Sequence, residues 1–148
     1  MNINAFLNLK KFKEREKDQM QKNYQAAVDT FEEKATSLYN LLKEKEELEM
    51  KIDDNLSGGM VDLSAIQHHQ YAVQMVEDEV KQLHPRVQEA RFKMNELEDQ
   101  RNEAFKQVKK YEKLIELKIE EHSSWLKKEE VREMDEITLQ QYSNRVNR

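Results

Sequence analysis

The feature that most constrains this chain is a seven-residue apolar repeat that runs without a slip through its second half. One row of positions spaced seven residues apart comprises Ile66, Val73, Val80, Val87, Met94, Arg101, Val108, Ile115 and His122. A second row, three residues behind the first, comprises His69, Val76, Leu83, Ala90, Leu97, Ala104, Tyr111, Lys118 and Trp125. Such a repeat gives a helix one narrow apolar stripe, here called the seam, and a left-handed supercoil with a partner helix.

The composition argues against an ordinary globular domain. The chain is 37% charged, with a mean hydropathy of −1.04, two glycines and one proline. Glycine and proline mark turns, so a chain with so few of them has few turns. High charge is also typical of disorder, but disordered chains do not hold an apolar register over many heptads. We therefore predict long helices.

Three classes of protein are disfavoured by what the sequence lacks. There is no cysteine, hence no disulfide framework and no thiolate metal site. No apolar run approaches the roughly 20 residues that span a bilayer, and the N-terminal region lacks the apolar core of a signal peptide. A net charge of −5 disfavours nucleic-acid binding. We expect a cytoplasmic protein without direct membrane insertion.

A weaker apolar stripe precedes the only glycines. It comprises Phe6, Met20, Tyr24, Ala27, Phe31, Leu38, Leu41, Leu48 and Ile52. We predict helix one over about 4–56, a turn at about 57–62 and helix two over about 63–135, all within one domain, 1–148. Gly58 or Gly59 is expected to end helix one in the left-handed conformation, and Asp62 or Ser64 to cap helix two. The predicted fold class is all-α, an antiparallel coiled-coil hairpin whose longer second helix bends near Pro85.

The two predicted helices differ in length. If the chain folds back near Gly58, residues at equal distances before and after that point lie opposite each other. Phe6 then lies opposite Tyr111, and the residues beyond about Ile115 have no intrachain partner. The unpartnered part is still rich in large apolar side chains, namely Ile119, Trp125, Leu126, Val131, Met134, Ile137 and Leu139. Either this region and the tail at 136–148 fray, or they form an overhang that binds another protein.

Catalytic, metal and cofactor chemistry have no support in the pattern. His68 and His69 are adjacent and point to different faces of a helix, and no zincin-type carboxylate–histidine spacing occurs. The glycine pair lacks the lysine and hydroxyl residue of a phosphate-binding loop. Carboxylates on helix surfaces have no cleft in which to act as an acid and base. We predict no enzyme activity, no metal and no cofactor.

The order and spacing of several short motifs resemble the FliJ family of flagellar type III export proteins, in its Bacillus-like form. These motifs are Phe6-x-x-Leu9, Lys13-Glu14-x-Glu16-Lys17-Asp18, Tyr24-Gln25, Phe31-Glu32, Leu38-Tyr39, Ser57-Gly58-Gly59-Met60, His69-Gln70-Tyr71-x-Val73 and Glu133-Met134-Asp135-Glu136-Ile137. They cover nearly the whole chain. No single motif is diagnostic, but their order, spacing and total length together make the resemblance specific.

The resemblance implies a set of partners. Members of the family form an antiparallel coiled coil similar to the shaft of the rotary ATPase γ subunit. They bind the hexameric export ATPase and the cytoplasmic domain of the large export-gate membrane protein, promote ATPase assembly and coupling to export, and handle export chaperones. By the same resemblance, this chain would be a monomer when alone, peripheral at the cytoplasmic face of the membrane.

The resemblance also suggests which residues contact each partner. The family's export-gate surface falls on Ala72, Val76, Glu79 and Leu83, with Leu38 and Leu42 opposite; only Val76 fits the family pattern well, and Tyr71 and Tyr39 supply nearby aromatic side chains. By analogy with the γ shaft, the end with both termini would enter the ATPase ring. The candidate ATPase contacts are Phe6, Lys10, Lys11, Lys13, Trp125, Met134 and Tyr142.

Two other functions stay open at this point. The chain could be the homologous stalk of a virulence type III secretion system. It could also be a coiled-coil spacer or oligomerisation module without an ATPase partner. In the latter case the isolated chain would form dimers or bundles.

Overall fold

A computed structural model describes residues 2–59 and 61–147 of the chain. It contains helix α1, Ile3–Ser57, and helix α2, Leu63–Val146. Within the described residues there is no strand, and the two helices pack against each other, which confirms the predicted all-α fold class. Met60, part of the predicted turn, lies outside the described residues.

Both helices begin with side-chain caps, and the sequence predicted the one of α2. At the start of α2 the Asp62 carboxylate accepts hydrogen bonds from the backbone N–H groups of Ser64 and Ala65, at 3.1 and 3.2 Å. Asp62 is therefore the N-cap, and Ser64 lies inside the helix. At the start of α1 the Asn2 side chain accepts a hydrogen bond from the Asn4 N–H at 3.2 Å.

The expected left-handed glycine at the end of α1 is wrong. Neither Gly58 nor Gly59 has a positive φ. Instead, the Gly58 N–H donates to the Asp54 carbonyl at 3.0 Å, which continues the ordinary helical hydrogen-bond pattern past Ser57. A Cβ at Gly59 would meet nothing within 4 Å, so the chain does not need glycine there to avoid a clash.

Helix α2 differs from expectation in its length. It runs unbroken through Pro85 and ends at Val146, so residues 136–146 of the segment expected to fray are helical. Pro85 is exposed, and the seam keeps its register on both sides of it, because Leu83 is half-buried and Val87 is buried. A bend near Pro85 stays a prediction.

The chain divides into two compact units, which are described separately. The loop unit comprises Gln19–Asn102, and the terminal unit comprises Met1–Asp18 with Glu103–Arg148. Each unit contains one segment of α1 and one of α2. Across both units, sixteen of the eighteen predicted seam positions on α2 are buried or half-buried. The two exposed positions are His122 and Trp125.

The loop unit holds most of the apolar core. Its buried side chains are Ala27, Ile66, Val76, Val87 and Ala90. Lys45 interrupts the apolar stripe of α1, and its ammonium lies 3.3 Å from the Glu77 carboxylate across the helix pair and 3.8 Å from that of Glu49. A half-buried lysine is tolerated here because an acid on the opposite helix faces it.

Two cation–π contacts join the helices of the loop unit. The guanidinium carbon of Arg101 lies 4.4 Å from the centre of the Tyr24 ring, and that of Arg91 lies 5.4 Å from the centre of the Phe31 ring. Both distances are within the range of an attractive contact. Arg101, a charged residue on the seam, therefore stacks on an aromatic ring of the partner helix. These pairs fix an antiparallel arrangement within the unit.

The terminal unit has a thinner core. Its buried side chains are Val108 and Ile115, both on α2. The facing positions of α1 are half-buried and include three lysines, Lys10, Lys13 and Lys17. The Lys17 ammonium lies 5.4 Å from the centre of the Phe105 ring on α2. The aliphatic part of a lysine side chain can cover apolar surface while its ammonium group reaches water. These lysines of α1 can therefore cover the apolar residues of α2 where α1 has few apolar side chains.

Candidate partner-binding surfaces

Residues around Tyr39 and Tyr71 form the first candidate surface, in the loop unit. Both rings are about two-thirds exposed, at 64% and 67%. Leu42 and Glu79 are also exposed, whereas Ala72 and Leu83 are half-buried. Such exposed aromatic side chains, with no packing role in the fold, are the residue type enriched at binding hot spots.

Two residues suggested for this surface belong to the seam instead. Val76 is only 5% exposed, and Leu83 is half-buried. Both occupy the apolar row that packs against α1. They are therefore poorly placed to touch a partner, and their replacement would disturb the helix pair itself.

The structure also separates the two tyrosines. Phe31 lies opposite Arg91, and Lys45 lies opposite Glu77. Interpolation between these two pairs of an antiparallel arrangement places Tyr39 at the level of Leu83. Tyr71 then lies about twelve residues along α2 from the level of Tyr39, or roughly 18 Å at ~1.5 Å per residue. A single partner must span that distance to touch both rings.

The loop unit has two further features besides the candidate contact residues. Met75 follows Tyr71 by one helical turn and is 48% exposed, so the two side chains form an apolar pair on α2. A hollow of about 380 Å³ also lies where small side chains meet. It is lined by Asn23, Ala26, Ala27, Thr30, Ala90, Lys93 and Leu97. The position of Met75 off the seam was a usable signal that its side chain would be exposed. The alanines gave no signal of the hollow, because alanine is common on a helix seam.

In the terminal unit, the basic residues suggested as ATPase contacts do not form one free surface. Lys10 pairs with Glu14 at 3.6 Å and Lys13 with Glu16 at 3.3 Å, and both lysines are half-buried. Lys11 is exposed. Phe6 is half-buried and therefore contributes to the helix contact more than to an outer surface.

The helix contact of the terminal unit extends further than the sequence suggested. Ile3 lines one shallow depression together with Lys118, Glu121, His122 and Trp125. Helix α1 therefore still has neighbours on α2 beyond Ile115, and the Phe6 level falls near Ile115 to Lys118 rather than at Tyr111. Reflection about Gly58 misplaces these pairs, because α1 ends at Ser57 and α2 begins only at Leu63, which moves every pair along α2.

The last part of α2, residues 126–146, is a helix with little cover. From Ile119 to Asn147 every residue except Glu129 is exposed. Met134 and Tyr142 are 67% and 68% exposed. Trp125, just before this segment, stacks on His122 with ring centres 6.1 Å apart and still exposes 56% of its surface. The expected apolar overhang is present, although it begins about ten residues later than predicted.

The apolar residues of this segment, here called the tail helix, form two stripes. At ~100° per residue, each stripe is about 80° wide and the two are centred on roughly opposite sides. The first comprises Leu126, Met134 and Ile137, and the second comprises Val131, Leu139, Tyr142 and Val146. A surface helix of a folded domain has one apolar stripe, whereas apolar residues on two sides suit a helix that is enclosed by its partners.

Two further features were sought among the described residues, a cluster of metal-ligating side chains and a membrane-spanning helix. In residues 2–59 and 61–147, no three His, Cys, Asp or Glu side chains converge where they could hold a metal ion. Over the same residues, neither helix has a stretch long and apolar enough to cross a membrane.

Two long helices joined along a heptad seam place this chain in the class of coiled-coil proteins. The sequence profile of the family described as Flagellar FliJ protein matches residues 2–147. The chain therefore belongs to the FliJ family of flagellar proteins, which confirms the resemblance found in its sequence motifs.

A curated relative supports the same assignment. The Flagellar FliJ protein of Bacillus subtilis (strain 168) is 32% identical over 137 residues, which are 93% of this chain and 92% of the relative. The similarity therefore covers both helices and the loop between them. No solved structure matches the chain significantly.

Proposed function

We propose that this protein is a non-enzymatic stalk and adaptor of the flagellar type III export apparatus. In this role it binds the centre of the hexameric export ATPase and the cytoplasmic domain of the export-gate membrane protein. It promotes ATPase assembly, couples the ATPase to substrate export and takes part in handling export chaperones. It works in the cytoplasm, at the face of the membrane that carries the export apparatus, and is a monomer when alone.

The observation that carries this proposal is the tail helix. Twenty or so residues of helix without intrachain cover are marginally stable in water unless a partner packs against them. Apolar stripes on two sides suit insertion into a ring, where walls surround the helix. Membership of a family of flagellar proteins supports the flagellar apparatus over a virulence secretion system as the place where this happens.

The ATPase proposal predicts stimulation. Titrating the protein into the export ATPase of the same organism should raise steady-state phosphate release several-fold and shift the ATPase towards the hexamer, because a central stalk favours the assembled ring. A phosphate-release assay with parallel size-exclusion chromatography and light scattering measures both. Glu46→Gln, an exposed change in the loop unit, should stimulate as well as the unaltered protein. Absence of both stimulation and co-elution would favour a coiled-coil spacer instead.

The export-gate proposal predicts that the exposed tyrosines matter. Tyr71→Ala should weaken binding to the cytoplasmic domain of the gate protein about thirtyfold, since truncating a hot-spot aromatic costs roughly 2 kcal/mol. Helicity should not change, because the ring is exposed. Isothermal titration calorimetry gives the affinity.

Phe92→Ala is the matched control for this prediction. Phe92 is 71% exposed on the same helix, about three heptads from Tyr71, and belongs to neither the seam nor the proposed surface. Its truncation should leave the affinity within error of the unaltered protein. Equal losses for Tyr71→Ala and Phe92→Ala would contradict a localised surface and point to a diffuse effect of apolar area.

A further inference from the structure

The outward face of α2 in the terminal unit carries a row of lysines. Its members are Lys106, Lys109, Lys110 and Lys113. Their spacing of i, i+3, i+4 and i+7 places all four on one side of the helix. The seam residues between and beside them, Val108 and Ile115, are buried against α1, so the lysines point away from it. All four are exposed.

None of these four lysines forms an ion pair with any described residue. Glu103, one turn before the row, accepts a hydrogen bond from Gln107 at 3.1 Å. Glu112 and Glu116 lie three residues after Lys109 and Lys113, yet neither carboxylate is within ion-pair distance. Elsewhere in this unit, Lys10, Lys13 and Lys118 each have a glutamate partner.

An ordinary solvated helix face would mix the two signs of charge. Here the row contains four pairs of lysines that are three or four residues apart. Like charges at this spacing repel each other and weaken the helix. The positive charge is also local. The paired segments 3–18 and 103–119 carry ten basic and six acidic residues, whereas the loop unit carries ten basic and seventeen acidic residues.

We propose that this lysine row is an electrostatic docking site for an acidic protein surface, one that presents Asp and Glu side chains at helical spacing. The row is only about 10 Å long at ~1.5 Å per residue, which suits a few side chains of a facing helix. Lysine supplies mobile point charges that fit carboxylates without fixed geometry. The site does not depend on the proposed ATPase and gate contacts and lies outside the residues suggested for them.

Other polyanions fit the row less well. Nucleic acid would meet a chain with a net charge of −5 whose loop unit is strongly acidic. A membrane-surface helix places large apolar residues beside its basic ones and buries them in the lipid. Within 106–113 the only apolar side chains are Val108, which is buried, and Tyr111, which is half-buried.

The test uses the full chain and a fluorescent helical peptide with glutamates at i, i+3, i+4 and i+7. One variant replaces Lys106, Lys109, Lys110 and Lys113 with glutamine. The matched control replaces four exposed lysines of the loop unit, Lys22, Lys43, Lys51 and Lys81, and so has the same net charge. Fluorescence anisotropy at low salt should show affinity reduced about tenfold in the first variant and nearly unchanged in the control.

Further measurements separate the alternatives. Affinity of the unaltered chain should fall as salt rises, because exposed charges are screened. Circular dichroism should show that neither variant loses helicity, since none of the replaced lysines forms an ion pair with a described residue and removal of like charges from the row favours its helix. Equal loss in both variants, no binding by the unaltered chain, or tighter binding to phosphatidylglycerol vesicles or duplex DNA than to the peptide would each overturn the proposal.

Discussion

Replacing Val87 with aspartate will unfold the loop unit at room temperature. Val87 is only 3% exposed and is the least exposed residue of the apolar core. An aspartate there must either bury a charge without a partner or force the helices apart, and a change of this kind costs several kcal/mol. Because a small coiled coil has a total stability of the order of 5–15 kcal/mol or less, the loss is expected to be decisive. Thermal unfolding followed by circular dichroism measures it.

The control for this prediction is Phe92→Asp. It places the same charge five residues away on the same helix, at a side chain that is 71% exposed. The melting temperature should then change by no more than a few degrees, since surface substitutions alter stability by roughly 0.5 kcal/mol. Comparable melting of Val87→Asp and Phe92→Asp would contradict the helix pairing described above.

The seam could be predicted from sequence because a heptad repeat encodes both the structure and its buried face. Each heptad spans about two helical turns, and in each heptad one residue of each row faces the partner helix. Local sequence also limited the N-cap of α2 to Asp62 or Ser64, and the hydrogen bonds of the structure select Asp62. These features depend on residues close together in the chain, so a single sequence contains them.

Features that depend on contacts between the helices were harder to predict. The pairing of Ile3 with the region around Trp125 required the true position of the loop, and an error of two or three residues there shifts every pair. Stacking of Arg101 on Tyr24 could not be distinguished in advance from a stem that packs while its head reaches water. The backbone at Gly58 depended on how α1 ends, and glycine is compatible with several conformations.

The structure shows which of the candidate contact residues are exposed, and their roles in binding stay predictions. Tyr39 and Tyr71 lie off the seam and are exposed, because the heptad also defines what lies outside it, whereas Trp125 was placed on the seam and is exposed. The basic surface was assigned to α1, whereas the structure pairs Lys10 and Lys13 with neighbouring glutamates. The four lysines of the row on α2, Lys106, Lys109, Lys110 and Lys113, form no ion pair with any described residue. Counting charges along the chain does not reveal which of them already have partners.

Placing two aspartates on either stripe of the tail helix will abolish stimulation of the export ATPase, if the tail enters the ring as proposed. Met134→Asp with Ile137→Asp changes the first stripe, and Leu139→Asp with Tyr142→Asp changes the second. Each pair removes two large exposed apolar side chains and should weaken binding at least about tenfold. Neither should lower the melting temperature of the helix pair, because these residues are exposed. Phosphate release at a fixed ATPase concentration measures the effect.

Gln140→Asp with Ser143→Asp is the matched control, since both positions lie in the gap between the stripes and receive the same two charges. Stimulation by this variant should stay close to that of the unaltered protein. Loss with only one of the two stripe variants would mean that the tail lies against one wall rather than being enclosed. If all three variants stimulate normally, the tail is not the part that binds the ATPase. Equal loss in all three would mean that added negative charge, and not lost apolar contact, prevents binding.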